Sequence, residues 1–222
     1  MTAQTLEPVA DRPQSLGDIA FDRIRNAIVQ RTLAPGTRVS EAMLGEMLHV
    51  SKTPVREALL RLCHVGLVEP TTRGLRVVLP NREIIREAYE VRTGLESVAA
   101  KLAAERGDTA QRQTITEAAR KSLEYARNAD AAGFAEWDMA FHKSVAAASG
   151  NKLLAKQVED SVVLAFTLRS RDVLTPDDSI HCGRQHVQLA KSIKNGDAEV
   201  AAQQMLDHIS EVTKFVLASA TG

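Results

Sequence analysis

Residues 51–66 read "SKTPVREALLRLCHVG" and predict one helix with two different faces. Ser51 is a suitable N-cap, and Pro54 is tolerated in the first turn of a helix. Apolar side chains recur at helical spacing along one face, at Val55, Ala58, Leu59 and Leu62. Lys52, Thr53 and Arg56 cluster on the other face, near the N-terminus. The helix therefore packs on a core through one side and presents a basic side to solvent.

The flanking sequence predicts two helices before this one and a hairpin after it. "SLGDIAFDRIRNAIVQRTL" from residue 15 carries apolar residues at helical spacing, and a short helix follows from about Ser40 to Leu48. "GLVEPTTRGLRVVLP" from residue 66 places β-branched residues on both sides of a Thr-Thr-Arg-Gly turn, which is typical of a hairpin. Three helices and a hairpin form a winged helix-turn-helix pattern.

The charge of the chain is balanced overall but concentrated locally. Lys+Arg and Asp+Glu are both 28 in the 222 residues, so net charge gives no sign of a polyanionic partner. The segment from Lys52 to Arg76, however, contains five basic residues and only two acidic ones. Any nucleic-acid surface is therefore local, and this segment is the candidate for it.

The sequence carries no targeting or redox signal. The leader "MTAQTLEPVADRPQ" lacks a basic segment followed by an apolar one, and no run of about eighteen apolar residues occurs. Cys63 and Cys182 have no C-x-x-C spacing and both lie in helical patterns, so we expect two buried free thiols. These features predict a soluble cytoplasmic protein.

The basic face of residues 51–66 has two interpretations. A recognition helix presents its N-terminal residues to base edges and phosphates in a major groove, where Thr and Arg are able to read bases and Lys favours phosphate. The alternative is a solvated face on which Glu57 and Arg61 form an i,i+4 ion pair. The helix alone leaves both open.

Three motifs resemble those of the GntR family of bacterial repressors, in the order and spacing of that family: "LAPGTRVSE", "VSKTPVREALLRL" and "GLVEPTTRGLRVV", within residues 16–79. The resemblance implies that Lys52, Thr53 and Arg56 contact operator DNA and that Gly74 approaches the minor groove. The expected DNA-contact set is Arg38, Ser51, Lys52, Thr53, Arg56, Arg73 and Gly74.

Two positions depart from the family pattern. Lys52 stands where the family usually has Arg, which removes a bidentate guanine contact. Ala42 stands where some members have Arg. Both substitutions imply an operator read through fewer direct contacts than in a typical relative.

The remainder of the chain shows only helical periodicity, with helices expected near 82–106, 109–128, 133–149, 151–172, 177–195 and 197–218. Thr109, Asn151 and Asp197 are the expected caps, and Thr175-Pro176 opens the fifth of these helices. The fold class is therefore mainly α, a winged helix-turn-helix domain followed by a six-helix antiparallel bundle. The expected boundaries are 1–14 for a flexible leader, 15–80 for the DNA-binding domain and 81–222 for the bundle.

Four residues of types that ligate metals, one Asp and three His, interrupt the apolar stripes of three bundle helices. Asp138 and His142 are one turn apart beside Phe134, Phe141 and Val145. The other two members stand in later helices, at His186 and His208. One carboxylate and three imidazoles are a typical ligand set for Zn²⁺ and its first-row neighbours. The alternative is that the four are core residues, each with its own hydrogen-bond partners and without a metal ion.

"DMAFHKSVAAASGN" and "QHVQLAKSIKNGDAEVAAQQMLDH" resemble the C-terminal effector domain of the FadR-type subfamily, called the FCD domain, over about residues 82–215. The six-helix count resembles the shorter, VanR-like branch. The resemblance implies metal binding by Asp138, His142, His186 and His208. Gln185 departs from a frequent Glu before the third ligand. We expect Zn²⁺, with Ni²⁺ and Mn²⁺ as alternatives.

The resulting hypothesis is a ligand-responsive transcription factor, a homodimeric repressor that binds a pseudo-palindromic operator. Its effector would be a small carboxylate or sugar acid, held by the metal and by Arg92, with Arg169 as a second candidate. A metal-dependent hydrolase or lyase is the alternative, but Glu96 and Glu159 are the only candidate bases and both are expected to be remote. A direct metal sensor is a third possibility. We expect no enzyme activity.

Overall fold

The computed structural model describes residues 14–169 and 175–219. The chain divides between Val78 and Leu79 into two compact units, an N-terminal unit and a helical bundle. Residues 1–13 of the predicted leader lie outside the described residues.

From residue 14 onward, the N-terminal unit shows three helices and a small antiparallel sheet. Its elements are α1 (Leu16–Val29), β1 (Arg38–Val39), α2 (Glu41–Leu48), α3 (Lys52–Val65), β2 (Val68–Thr71) and β3 (Gly74–Val77). The predicted hairpin is the pair β2 and β3, and β1 adds to its other edge to give the order β1-β3-β2. The winged helix-turn-helix pattern is confirmed, while β1 was not predicted.

Local capping chemistry explains the helix ends in this unit. Ser15 and Asp18 form a capping box at the start of α1, and the Ser40 hydroxyl accepts from the backbone N–H of Met43 at the start of α2. Gly66 ends α3 at φ 84°, a left-handed conformation that glycine adopts without strain. The predicted stripe of α3 is buried: Val55, Ala58, Leu59 and Leu62.

In its described residues, the bundle has six helices, as expected. They are α4 (Arg82–Arg106), α5 (Thr109–Arg127), α6 (Ala131–Ala148), α7 (Lys152–Leu168), α8 (Pro176–Asn195) and α9 (Ala198–Ser219). Three details of the prediction were wrong. Asp108, not Thr109, caps α5, because Asp108 and Gln111 form a capping box. The helix α6 begins at Ala131, because Asp130 caps it. The helix α7 ends at Leu168, because Arg169 has an extended backbone; residues 170–172 lie outside the described part.

Small residues allow the bundle helices to approach closely. Five buried alanines line α4, which packs against α6, α7, α8 and α9: Ala88, Ala99, Ala100, Ala103 and Ala104. The helix α5 packs against α6 and α8, and Gly183 of α8 faces the backbone of Leu123 there. These contacts bring α4, α5, α6, α8 and α9 around one interior region.

Among the described residues, no helix is long and apolar enough to span a membrane. Both cysteines are free thiols. Cys182 is buried as expected, but Cys63 is only half-buried, because it lies at the edge of the apolar stripe of α3.

Replacement of Gly183 by alanine tests the contact between α5 and α8. A Cβ at this position would lie 2.7 Å from Leu123 Cα, a backbone atom that cannot rotate away. Gly183→Ala should therefore lower the free energy of unfolding of the bundle by about 1–3 kcal/mol in urea denaturation.

Gly94→Ala is the matched control, because a Cβ at this mid-helix position of α4 meets no described atom within 4 Å. It should raise the free energy of unfolding by up to about 1 kcal/mol, the difference in helix propensity. Equal effects of the two substitutions would contradict the proposed close contact.

Candidate metal centre and DNA-binding surface

Four side chains from three helices meet inside the bundle. Asp138 and His142 come from α6, His186 from α8 and His208 from α9, and all four are buried. One potential ligand atom from each lies within 4.8 Å of the other three. The structure therefore brings together the complete set of residues that the sequence analysis named as metal ligands.

Hydrogen bonds fix the tautomers of two of the three imidazoles. Ser122 Oγ donates its only hydrogen to the carbonyl of Ala119, so it can only accept from His186 Nδ1–H, 2.9 Å away. The Gln185 amide donates to Glu211, so its oxygen accepts from His208 Nδ1–H at 2.8 Å. Both rings therefore carry their lone pair on Nε2.

The third imidazole follows the same rule, because the Glu96 carboxylate is an acceptor for His142 Nδ1–H. His142 Nε2 is a buried atom 3.4 Å from Asp138 Oδ1, and it has no hydrogen-bond partner among the described residues. Each ring thus uses Nδ1 for an outer partner and directs Nε2 inward, which is the usual arrangement around a metal ion.

The inward-facing atoms suit a cation. His186 Nε2 lies 3.2 Å from His208 Nε2 and 3.4 Å from Asp138 Oδ1. With both hydrogens on Nδ1, the two nitrogen lone pairs face each other, and a cation between them would make this arrangement favourable. The donor set of three nitrogens and one carboxylate therefore fits a divalent transition metal.

The pKa shifts of Asp138, His186 and His208 agree with this geometry. Burial lowers the pKa of His186 to about 3, and burial together with the His186 and His142 rings lowers the pKa of His208 well below its usual value. Burial alone would lower the pKa of His142, but the Glu96 carboxylate outweighs it and raises the pKa. Burial alone would raise the pKa of Asp138, but His142, His186 and Arg169 hold it well below its usual range. The groups favour neutral rings at His186 and His208 and positive charge beside Asp138.

Glu96 was expected to be remote, and that expectation was wrong. Its side chain is 1% exposed and contacts His142, because residue 96 lies on the buried stripe of α4 against α6. Its other oxygen accepts from Arg92 Nε at 2.5 Å, and Arg92 is only 2% exposed. Burial would raise the pKa of Glu96, but the charges of Arg92 and His142 lower it and keep the carboxylate ionised. Glu159, by contrast, lies at the surface and pairs with Lys143.

Both predicted effector residues lie near the candidate metal centre. Arg169 Nη2 is 3.6 Å from Asp138 Oδ2, and its guanidinium stacks over Phe166. Arg92 lies one turn from Tyr89, whose hydroxyl is buried without a hydrogen-bond partner among the described residues. Tyr89 was missed in the sequence, although its i,i+3 spacing to Arg92 places both on one face of α4.

The expected DNA contacts lie on exposed parts of the N-terminal unit. Lys52, Thr53 and Arg56 are exposed on the first two turns of α3, on the side opposite its buried stripe. Ser51 is the exposed N-cap of α3. The other three expected contact residues lie in the sheet and its turn and are exposed: Arg38, Arg73 and Gly74.

One ion pair in this surface was not anticipated. Arg56 donates from Nε and Nη2 to the two carboxylate oxygens of Glu41, at 2.7 and 2.9 Å. Arg61, for which an i,i+4 partner was considered, pairs instead with Asp18 of α1. Each pair joins two different helices, so the spacing of residues within one helix could not predict either of them.

Comparisons with known proteins match both units. The model of the gntR family of bacterial regulatory proteins matches residues 16–75, and the FCD domain model matches residues 87–211. The HTH-type transcriptional repressor RspR of Escherichia coli K12 is 24% identical, over 96% of this chain and 93% of its own. An uncharacterized HTH-type transcriptional regulator in the TAR-I ttuE-ttuC' intergenic region of Agrobacterium vitis is 34% identical, over 66% of this chain and 90% of its own.

The fold also has a solved counterpart. The structure of E. coli McbR/YncC superposes with a TM-score of 0.78, at 19% identity, over 93% of this chain and 99% of that one. The matched domains identify a transcription regulator that binds operator DNA, and not an enzyme. The FCD domain is a metal-binding effector domain, and here it holds the buried Asp/His cluster. The chain belongs to the GntR family of bacterial transcription regulators and is of the FCD type.

Proposed function

We propose that this chain is a ligand-responsive repressor, in which a small carboxylate or sugar acid bound at a metal site in the FCD domain controls operator binding. The observation that carries the proposal is the convergence of three Nε2 atoms and the Asp138 carboxylate, with every outer Nδ1 already hydrogen-bonded. Such a set is organised before an ion arrives.

The metal ligands in this proposal are Asp138, His142, His186 and His208. Zn²⁺ is the favoured ion because three imidazoles and a carboxylate suit it, with Ni²⁺ and Mn²⁺ as alternatives. When bound, the ion supplies a fixed positive charge and open coordination positions for an oxygen ligand. Ser122, Gln185 and Glu96 hold the rings in orientation.

The charge of the region favours an anionic effector. Arg92 and Glu96 neutralise each other, and a dication beside the Asp138 carboxylate leaves one positive charge. Arg169, near Asp138, adds another. In a buried region of low dielectric, this excess attracts a carboxylate. Arg92 and Arg169 are the proposed clamps for its second oxygen group, and Tyr89 offers a hydroxyl.

The geometry also weighs against the hydrolase or lyase alternative. A general base needs a carboxylate oxygen that is free to accept the substrate proton. Both oxygens of Glu96 are engaged, one by Arg92 and one by His142, and Glu159 lies at the surface. Glu96 is therefore suited to orienting His142 rather than to proton transfer.

We further propose that the protein acts as a homodimer on a pseudo-palindromic operator. One recognition helix covers only a few base pairs, and two-fold symmetry in the protein is matched by symmetric half-sites in DNA. Effector binding would favour a dimer geometry that does not fit both half-sites at once, which lowers operator affinity.

Substitutions in α3 test the DNA surface. Arg56→Ala should weaken binding to a selected operator duplex about 5- to 100-fold, with a smaller effect on random DNA, if Arg56 reads a base. Lys52→Ala should weaken both duplexes alike and flatten the salt dependence, as expected for a phosphate contact. Fluorescence anisotropy across a salt series measures both effects. Equal wild-type affinity for the selected and random duplexes would contradict the proposal.

Metal content tests the centre directly. Elemental analysis of the purified wild-type protein should give about one transition metal per chain, and a chelator should lower its melting temperature by roughly 5–10 °C. His186→Ala should lose the metal and the chelator response. His181→Ala is the matched control on α8, because His181 is exposed and pairs with Glu211. If the purified wild-type protein contains no metal and its melting temperature does not change with chelator, the metal proposal is wrong. The alternative would then hold, in which the four residues are core residues with separate hydrogen-bond partners.

Calorimetry tests the effector. The panel contains a simple carboxylate, a 2-hydroxy acid and a sugar acid, and at least one of them should bind. Its affinity should fall about 10-fold or more in Arg169→Ala and in Arg92→Lys. The lysine keeps the positive charge beside Glu96 but loses the two-point hydrogen bonding of the guanidinium. Binding that survives both substitutions and His208→Ala would place the ligand elsewhere.

The same panel separates an acid-responsive regulator from a metal sensor. Operator affinity is measured with metal-loaded and chelated protein, each with and without the acids. A response to metal alone, unchanged by every acid, would favour the sensor.

A further inference from the structure

Glu41 and Arg56 form a two-point ion pair at the exposed DNA-facing end of α3. Glu41 is the first residue of α2, and its place is set by the Ser40 cap that starts this helix. Arg56 Nε donates to Oε1 at 2.7 Å and Nη2 donates to Oε2 at 2.9 Å. The Arg56 side chain is 63% exposed, so its remaining surface faces solvent.

The pairing uses one specific edge of the guanidinium. Arginine has five N–H donors in a rigid plane, one on Nε and two on each Nη. Glu41 takes Nε–H and one hydrogen of Nη2. The end of the fork, formed by Nη1 and the second hydrogen of Nη2, is directed away from Glu41. Two parallel donors therefore remain for a second planar partner.

Two groups on DNA match such a fork, the O6/N7 edge of guanine and a phosphate with two oxygens. The Glu41–Arg56 pair carries no net charge, so its long-range attraction to phosphate is weak. A guanine edge is neutral and is recognised by direction and distance rather than by charge. Lys52, for which the described residues provide no such two-point partner, is the better phosphate contact.

We propose that Arg56 reads a guanine through the Nη1/Nη2 end of its guanidinium and that Glu41 is the positioning residue that holds it in this direction. The proposal rests on the proposed function of α3 as the recognition helix. It gives the operator one fixed guanine in each half-site. It also explains how a chain with Lys52 and Ala42, at two positions where relatives can have Arg, retains base recognition by α3.

Orientation before binding is the expected gain. A free arginine side chain loses rotamer entropy when it is fixed. Because Glu41 already fixes the Arg56 side chain in the folded protein, part of this entropy is lost on folding and not on DNA binding. The guanidinium is therefore aligned with the guanine edge before the complex forms. Without Glu41 the guanidinium keeps its charge and still attracts DNA, but it no longer selects one base.

The experiment uses the full chain and duplexes selected by the wild-type protein from a randomised pool. Affinity is measured for the selected duplex, for random DNA, and for selected duplexes in which each guanine in turn is replaced by 7-deazaguanine, which lacks the N7 acceptor. The variants are Glu41→Gln, Arg56→Ala and Glu46→Gln. Glu46 is an exposed carboxylate on the same helix, so Glu46→Gln reproduces the change in charge and serves as the control.

We expect one guanine per half-site at which 7-deazaguanine weakens wild-type binding about 10-fold. This effect should disappear in Arg56→Ala and shrink at least about 3-fold in Glu41→Gln, while Glu46→Gln keeps it. Binding of random DNA should rise similarly in Glu41→Gln and Glu46→Gln, because each loses one negative charge.

Two outcomes would overturn the inference. One is a Glu41→Gln variant that keeps the wild-type 7-deazaguanine effect. The other is an Arg56→Ala variant that keeps its selectivity for the selected duplex. Failure of the proposed function is a separate result, because it would appear as a wild-type protein that selects no duplex from the pool.

Discussion

The Glu96 carboxylate connects the cationic and imidazole groups inside the bundle, because it accepts from Arg92 on its own helix and from His142 on α6. Each of these three groups would be costly to bury alone. Together they satisfy one another, and removing one partner would leave an uncompensated charge at a cost of about 3–5 kcal/mol. The orientation of His142, and with it the direction of one inward Nε2, depends on this chain of contacts.

The other two rings depend on helix packing at the same depth. His186 contacts Ser122 across the interface of α8 and α5, where Gly183 allows α8 to lie close to the backbone of α5 at Leu123. His208 reaches Gln185 because α8 and α9 pack side by side. The candidate centre is therefore a product of three interfaces, each of which sets one tautomer. Any ion would meet donors whose directions were determined by folding.

Sequence periodicity was sufficient for the helices and for the four inward polar residues, because a stripe of period 3.6 fixes which side chains face the core. It could not show that Glu96 meets His142, since the two are 46 residues apart and their contact follows from the packing of α4 on α6. The i,i+4 relation of Arg92 and Glu96 was visible and could have indicated a buried pair. The strand β1 has only two residues and no pattern of its own, so its pairing with β3 comes from the tertiary fold.

A carboxylate that directs the donors of a neighbouring group occurs in both units, but with different energetic consequences. In the bundle, Glu96 is buried, so its contacts are strong and their loss threatens the fold. In the N-terminal unit, the Glu41–Arg56 pair is exposed, and such pairs contribute about 0–1 kcal/mol to stability. The pair orients the Arg56 guanidinium rather than stabilising the fold, because two parallel hydrogen bonds fix the plane of that group. The first carboxylate is therefore part of the structure that holds a site together, whereas the second can change what the surface recognises while the fold stays intact.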